Sequence, residues 1–199
     1  MEPEADAVAA NDLNAAQNAL RELEKTNAPA SAKAIARELL DTIKASPKPT
    51  PDDVPASFTQ LALGNAKPEL AEVGWLEPAA NRVPPNNVIL SPLLDSGKPY
   101  ATGLYAHAPS RYVFSLVGKW KKLSGVAGLH TLHQPYGSVV FLIKTDGHEA
   151  FHSAVIRGEA KASYQVDLTG VKQLELIVDP ADDGNHNEWG LWLDPMLSR

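Results

Sequence analysis

Short apolar runs recur along the chain after residue 57, several of them with clear alternation of apolar and polar residues, and they constrain its fold more than any other feature. The clearest segment is residues 162–168, where Tyr164, Val166 and Leu168 alternate with polar residues. A period of two is that of a β-strand with one face in a core, so these three side chains are predicted to point inward. Residues 173–178 repeat the pattern.

Further short apolar runs, separated by Gly, Pro and Asn, predict more strands of the same kind. These runs are residues 58–63, 88–90, 112–117, 121–129, 138–144, 150–156 and 189–193. No helix-length periodic segment follows residue 80, which argues against alternating strands and helices. The sequence therefore predicts an all-β fold, an antiparallel β-sandwich.

The first 46 residues differ, because they are rich in Ala, Leu, Glu and Lys. Larger apolar residues recur there at helical spacing in two stripes, which are Leu13, Ala16, Leu20 and Leu23, then Ile35, Leu39 and Ile43. Four prolines follow within residues 46–55, and they favour an extended spacer. We therefore predict a small helical hairpin at 1–46, a Pro-rich linker at 47–56 and the sandwich at 57–199.

Charge and composition exclude several classes of function. The formal net charge is −6, the sequence pI is about 5.5, and no basic run is longer than the pair Lys121 and Lys122, so a nucleic-acid partner is not expected. There is no cysteine, hence no disulfide and no thiolate metal site. No apolar run approaches the roughly 20 residues of a membrane span. The acidic start lacks signal-peptide character, which leaves a cytoplasmic protein or a piece of a longer secreted one.

Five sequence motifs occur along the predicted sandwich. They are GLYAHAPS (103–110), KWKKLSGVAGL (119–129), GSVVFLIKTDG (137–147), YQVDLTGVKQLELIVD (164–179) and DGNHNEWGLWLDP (183–195). In this combination the chain, from about residue 57 to its end, resembles the NPCBM family of carbohydrate-binding modules. The resemblance implies a galactose-binding-like, jelly-roll sandwich that binds glycans without catalysis. It also implies a bacterial parent protein with other domains, secreted or periplasmic.

Carbohydrate recognition needs a flat apolar surface for the C–H face of a sugar ring, and directed donors and acceptors for its hydroxyl groups. Loops at one end of a sandwich commonly carry such residues. The chain concentrates the right residue types in loop-like places, so the ligand-binding candidates are His107, Trp120, Tyr136, Asn185, His186, Glu188 and Trp189.

Some of these candidates have a second interpretation. His107 can fix its loop through a backbone carbonyl instead of binding sugar, and Trp120 can pack in the core. Trp189 and Trp192 stand three apart in a predicted strand, so they point to opposite faces and at most one can line a site. We predict that a sugar ring stacks on Trp189 or Trp120, with Trp189 preferred. Hydrogen bonds are expected from His107, Asn185 and Glu188.

The acidic residues before Trp189 are candidate calcium ligands, because Ca²⁺ takes six to eight oxygen atoms in flexible geometry. The candidates are Asp179, Asp182 and Asp183. The register of an EF-hand loop fails, since Ala181 and Gly190 stand where two ligands would be needed. A solvated turn is the alternative, so we expect no required cofactor and keep Ca²⁺ as an option.

Catalysis has little support in the sequence. No nucleophile elbow, metalloprotease motif, phosphate loop or dinucleotide fingerprint occurs. Asp146, Glu149 and Glu188 could form the carboxylate pair of a glycosidase, but Asp146 stands in an Asp-Gly turn signature. His130 and His133 could bind a metal only if strand geometry did not split them between faces. We predict a non-enzymatic sugar-binding module; the alternative is a structural or protein-interaction sandwich, and a glycoside-acting enzyme is third.

Overall fold

The structure is a computed structural model that describes residues 25, 29–31, 33–34, 48–84, 93–95, 98–130, 137–181 and 187–199. By compactness the chain divides into two units, Met1–Pro49 with Asp53–Phe58, and Thr50–Asp52 with Thr59–Arg199. The predicted helical hairpin lies almost wholly outside the described residues, so it stays a prediction. The predicted domain limits stay predictions too. Every strand of the described chain belongs to the second unit.

The described residues after the Pro-rich segment are mostly β-strands. In chain order they are β1 (Gln60–Ala62), β2 (Leu70–Glu72), β3 (Ala79–Ala80), β4 (Leu93–Asp95), β5 (Lys98–Tyr100), β6 (Gly103–His107), β7 (Ser110–Ser115), β8 (Lys122–Leu129), β9 (Ser138–Thr145), β10 (His148–His152), β11 (Ile156–Arg157), β12 (Lys161–Asp167), β13 (Gln173–Pro180) and β14 (Trp189–Ser198). One 3₁₀ helix, Leu63–Asn65, follows β1.

The strands form two larger sheets with antiparallel pairing throughout, which confirms the predicted all-β sandwich. The first sheet has the order β12-β8-β14-β6-β3, and β1 pairs with the far half of β14. The second sheet has the order β10-β9-β13-β7-β2, with β11 beside β9. Strands β4 and β5 pair only with each other among the described residues.

The hydrophobic core lies between the two sheets. Trp192 of the first sheet meets Phe141 of the second with ring centroids 5.0 Å apart in edge-to-face geometry. Tyr164 contacts Trp192 on one side and Phe151 of the second sheet on the other. The predicted inward residues of β12 and β13 are buried, as their alternation indicated.

A second apolar layer covers the outer face of the first sheet. Its buried members are Ala79, Val83, Tyr100, Tyr105, Leu191 and Leu193, and half-buried Val73, Val126 and Trp189 pack against them. Leu191 and Leu193 alternate with the inward-facing Trp192, so both faces of β14 are buried. The first sheet is therefore apolar on both sides over its central strands.

Two sequence predictions about strands were wrong. Residues 103–107 were expected to be loop-like, but they form β6 between β14 and β3. All five residues are buried, so this strand lacks the polar alternation that would reveal it. The predicted strand at 150–156 is two strands, β10 and β11, that both pair with β9. The predicted strand at 88–90 lies outside the described residues.

The Asp146–Gly147 turn between β9 and β10 is confirmed as a backbone device. Both residues have positive φ, 48° and 82°, as a tight hairpin turn requires. The Asp146 carboxylate accepts hydrogen bonds from the backbone N–H groups of Lys172 and Gln173, at 3.1 and 2.9 Å. This carboxylate therefore fixes one turn against the start of β13, which accounts for it without catalysis.

Candidate functional site

One end of the sandwich, which we call the loop end, gathers the candidate loops. Here β6 and β8 finish while β14 begins, with Trp189 opposite His107 and Gly190 opposite Leu129. The second sheet reaches the same end, because the Ser138 N–H at the start of β9 donates to Glu188 Oε2, just before β14, at 2.8 Å. Segments 131–136 and 182–186 lie outside the described residues, but the residues that flank both of them are at this end.

Three aromatic side chains form a row across the first sheet at the loop end. His107 on β6, Trp189 on β14 and His130 just after β8 are neighbours, and the His130 N–H donates to the Trp189 carbonyl at 2.9 Å. The Trp189 ring lies 6.1 Å from the His107 ring and 6.2 Å from the His130 ring, centroid to centroid. The Tyr105 ring lies 5.4 Å from Trp189 on the same outer face.

His107 is built into this row and offers little surface. Its side chain is only 5% exposed, and its Nδ1 lies 2.9 Å from the Ala108 carbonyl oxygen. This is the alternative that the sequence allowed, a histidine that fixes its own loop through a backbone carbonyl. The His107 ring therefore has almost no exposed surface with which to bind a sugar directly, and that role stays a prediction.

Glu188 also holds the loop end together. It is fully buried, and its Oε2 accepts a hydrogen bond from the Ser138 N–H at 2.8 Å. Its carbonyl accepts from the Ala108 N–H at 3.1 Å, which ties the end of β6 to the start of β14. These contacts give Glu188 a structural role and leave its carboxylate without exposed surface, and its predicted role as a direct sugar ligand stays a prediction.

Trp120 lies at the opposite end, which we call the terminal end because Thr59 and Arg199 meet there. It is fully buried, its Nε1–H donates to the Pro51 carbonyl at 3.3 Å, and the Arg199 guanidinium stands 4.3 Å from its ring centre. The prediction that Trp120 is a stacking platform is wrong, since neither face is free for a ring. Packing was the alternative interpretation.

Trp189 keeps its predicted character. It is half-buried on the outer face of β14, while Trp192 is fully buried in the core between the sheets. The two tryptophans therefore point to opposite faces, as their spacing predicted. Trp189 remains the one predicted stacking candidate with exposed surface among the described residues.

Several candidates lie outside the described residues. They are Tyr136, Asp182, Asp183, Asn185 and His186. Asp179 is exposed on β13 opposite Val140, and no group of three or more metal-ligating side chains occurs within the described part of the chain. The calcium prediction therefore stays a prediction.

The residues weighed for catalysis do not assemble within the described structure. Glu149 is exposed on β10 beside His152, 3.3 Å away. His130 is buried at the loop end, and His133 lies outside the described residues.

Among the described residues, no helix has the length and apolar character needed to cross a membrane.

Sequence reasoning missed one aromatic residue at the loop end, Trp75. It lies where the chain crosses from β2 in the second sheet to β3 in the first, and the neighbouring Gly74 N–H donates to the His107 carbonyl at 2.9 Å. Its side chain is 59% exposed, and that of Leu76 is 40% exposed. The irregular VGW segment offered only one signal, a large aromatic residue outside any strand pattern.

Comparison with known proteins gives consistent results. The sequence profile of the NPCBM/NEW2 domain family matches residues 59–198. A Renibacterium salmoninarum protein named for endo-alpha-N-acetylgalactosaminidase activity is 31% identical over 102 residues, which are 51% of this chain and 7% of that protein. The chain thus spans a small fraction of this relative.

Solved structures share the fold. The CBM51-2 and INT domains of Clostridium perfringens ZmpB, with CBM51-2 in complex with GlcNAc, match with a TM-score of 0.63 and 24% identity, covering 70% of this chain and 31% of that one. The CBM51 module of a Clostridium perfringens GH95 protein, in complex with methyl-galactose, matches with a TM-score of 0.63 and 22% identity. The match covers 70% of this chain and 100% of that module.

Proposed function

Because the chain belongs to the NPCBM/NEW2 domain family, we propose that it is a non-catalytic carbohydrate-binding module for galactose-like or related glycans. The family match over residues 59–198 carries this proposal, since it spans both sheets and the whole loop end. The likeness to CBM51 modules supports the same fold, and fold alone does not assign a sugar.

The loop end is the surface that suits a sugar. Trp75 is exposed and Trp189 is half-buried there, so apolar ring surface is available where the terminal end has none from Trp120. A pyranose presents C–H groups on one face and hydroxyl groups at its edge, which match an aromatic face and polar loop side chains. The predicted ligands Tyr136, Asn185 and His186 would supply the polar part.

The biological effect would be proximity. A module joined to a catalytic domain raises the local concentration of that domain at its polymer, without chemistry of its own. We therefore propose that this domain is one part of a longer secreted or periplasmic protein that it directs to glycans. We propose that sugar binding requires no metal. Ca²⁺ binding by Asp179, Asp182 and Asp183 stays a prediction, which the comparison with and without Ca²⁺ tests.

A glycan array tests the proposal, with the folded protein screened with and without Ca²⁺. We expect binding to a defined terminal sugar, and weaker binding by Trp189→Ala. Methyl-galactose and GlcNAc, the sugars present with the similar modules, are the first soluble competitors. A folded protein that binds nothing on the array would overturn the proposal and favour a protein-interaction domain.

A further inference from the structure

We propose that the side chain of Trp75 is the surface on which the sugar ring stacks, and that β6 serves to hold Trp75 in position. The inference rests on the proposed function and adds to it a ligand-binding residue outside the recognised sequence motifs. It also gives the GLYAHAPS segment a role as support for the site.

Trp75 stands apart from the other tryptophans of the chain. Of the 4 in the sequence, Trp120 and Trp192 are fully buried, Trp189 is half-buried and Trp75 is 59% exposed. Leu76 beside it is also exposed, so the two form a small apolar patch at the loop end. Transfer of such apolar surface out of water is favourable, so a ligand that covers the Trp75 ring gains free energy.

The backbone under Trp75 is fixed by two hydrogen bonds to β6. The Gly74 N–H donates to the His107 carbonyl at 2.9 Å, and the Tyr105 hydroxyl donates to the Trp75 carbonyl at 3.3 Å. Tyr105 is itself held, because the Tyr112 hydroxyl donates to its carbonyl at 2.6 Å. Burial, and then the neighbouring Tyr112 phenol, raises the pKa of Tyr105, so Tyr105 remains a donor at neutral pH.

Gly74 lets the loop come this close to the strand. A Cβ at this position would stand 2.4 Å from the Ala108 carbonyl oxygen and 2.7 Å from Pro109 Cδ. No other residue fits without moving the loop, because these contacts are far inside van der Waals distance. The close approach and the two hydrogen bonds together make the backbone of Trp75 part of the rigid sandwich.

The backbone of Leu76 adopts a disfavoured conformation, which indicates that the surrounding structure fixes this loop. Its φ is 63°, in the left-handed region that a side chain such as Leu rarely adopts. Strained backbone of this kind persists where the surroundings impose it, and it concentrates at binding sites. An exposed tryptophan on a strained and clamped loop is arranged as a preformed platform, which lowers the entropy cost of binding.

The platform suits a galactose-configured ring. In that ring the axial O4 leaves the C–H groups at C3, C4 and C5 together on the opposite face, which gives an apolar face that an indole ring can cover. Exposed polar groups follow along the loop, where Arg82 Nη2 meets Glu77 Oε1 at 2.7 Å, and they can serve the hydroxyl edge of the sugar.

The first test measures the affinity of full-length variants for methyl-galactose and for the best array glycan. We expect Trp75→Ala to weaken binding at least tenfold, and Trp75→Phe to keep part of it, because a smaller ring still stacks. The matched control is Val117→Ala, which removes an exposed apolar side chain, 53% exposed, from the terminal end. Val117→Ala should bind as the unmodified protein does.

Tyr105→Phe tests the clamp, because it deletes only the hydroxyl that holds the Trp75 carbonyl. We expect a loss of affinity of a few fold, together with a change in the fluorescence emission of the exposed tryptophan and no change in the far-ultraviolet spectrum. A purely structural hydroxyl would lower the thermal midpoint and leave the affinity of the folded protein unchanged.

A second test needs no variant. N-bromosuccinimide oxidises exposed tryptophan before buried tryptophan, and peptide mass spectrometry locates the modified residue. Trp75 should react first in the free protein, and saturating methyl-galactose or array glycan should protect it. Equal reaction of Trp75 with and without bound sugar would overturn the inference even if the Trp75 variants failed to fold.

The outcomes separate the two proposals. If the unmodified protein binds no glycan, the proposed function fails and the inference fails with it. If it binds glycan, and Trp75→Ala binds equally while Trp189→Ala does not, the function stands and the assignment of Trp75 is overturned.

Discussion

The loop end and the terminal end use the same residue type in opposite ways. At the terminal end Trp120 is closed in, with the Pro51 carbonyl on its Nε1–H and the Arg199 guanidinium over its ring. At the loop end Trp75 has its backbone fixed by β6 and its ring left in solvent. Both positions are tied to the sandwich by hydrogen bonds, but only one presents an aromatic face.

The two ends differ in what the burial of tryptophan contributes to. At the terminal end Pro51 and Arg199 cover Trp120, so that its side chain belongs to the core and its burial stabilises the fold. At the loop end the buried polar residues His107 and Glu188 hold loops together, and Trp75 stays exposed; on our proposal, a bound sugar buries it. Stability and recognition are thereby separated along the length of the same strands.

The largest test of this contrast is Trp120→Ala. Removing a fully buried tryptophan is expected to lower the free energy of unfolding by about 3–5 kcal/mol, because a cavity replaces its contacts. The same change at Trp75 should cost within about 0.5 kcal/mol, since its side chain is mostly in water. Urea denaturation of both variants measures the difference, and equal costs would contradict the contrast between the two ends.

The next test concerns the carboxylate inside the loop end. Glu188→Ala leaves the buried Ser138 N–H without its acceptor, so we expect a loss of about 1–3 kcal/mol in the free energy of unfolding. Glu188→Gln should lose less, because an amide oxygen can still accept that hydrogen bond.

The matched control is Glu149→Ala on β10, which breaks an exposed pair with His152 and should cost under about 0.5 kcal/mol. Thermal and urea unfolding compare the three variants. If Glu188→Ala were as mild as Glu149→Ala while abolishing sugar binding, Glu188 would be a ligand after all, and our structural role for it would be wrong.

The sequence predicted the part of this fold that depends on local alternation. Tyr164, Val166 and Leu168 face the core as their period of two required, and Trp192 points away from Trp189 for the same reason. It did not reveal β6, because a strand buried on both faces has no polar residues at alternate positions.

Exposure at the candidate site could not be read from the sequence, because distant residues decide it. Trp120 is covered by Pro51 and Arg199, each tens of residues away along the chain. Glu188 is buried with its carboxylate on the Ser138 N–H, 50 residues away along the chain, and no local pattern links the two. The flanks of Trp75 resemble an ordinary loop. Its exposed ring and its hydrogen bonds to β6, which make it a candidate for sugar binding, are visible only in three dimensions.

A smaller effect tests the chain that covers the terminal end. The Ser115 hydroxyl donates to the Asp52 carboxylate, and the Lys119 ammonium donates to the Asp52 carbonyl at 2.7 Å. We expect a double-mutant cycle with Asp52→Ala and Ser115→Ala to give a coupling of about 1 kcal/mol in the free energy of unfolding. Sugar affinity should stay constant through the cycle, and a change in it would mean that the two ends are coupled.

A further small effect at neutral pH is expected from Tyr164→Phe, which belongs to neither end. The Tyr164 hydroxyl is buried in the middle of β12 and has no hydrogen-bond partner among the described residues. Deleting a buried hydroxyl without a partner is close to neutral or slightly stabilising, so we expect a change within about 1 kcal/mol. Tyr105→Phe deletes a hydroxyl that has a partner and should instead lower stability.

At alkaline pH, Tyr164→Phe and the unmodified protein should differ in stability. Burial, and then the nearby Asp194 carboxylate, raises the pKa of Tyr164 above its ordinary value of 10.0, so the folded chain keeps the neutral phenol while the unfolded chain releases its proton above pH 10. The contribution of Tyr164 to stability is therefore complete below about pH 10 and is lost as pH rises further, by about 1.4 kcal/mol per pH unit. Tyr164→Phe should make the decline between about pH 10 and 12 shallower by that amount. Parallel curves for the variant and the unmodified protein would mean that the phenol ionises in the folded state.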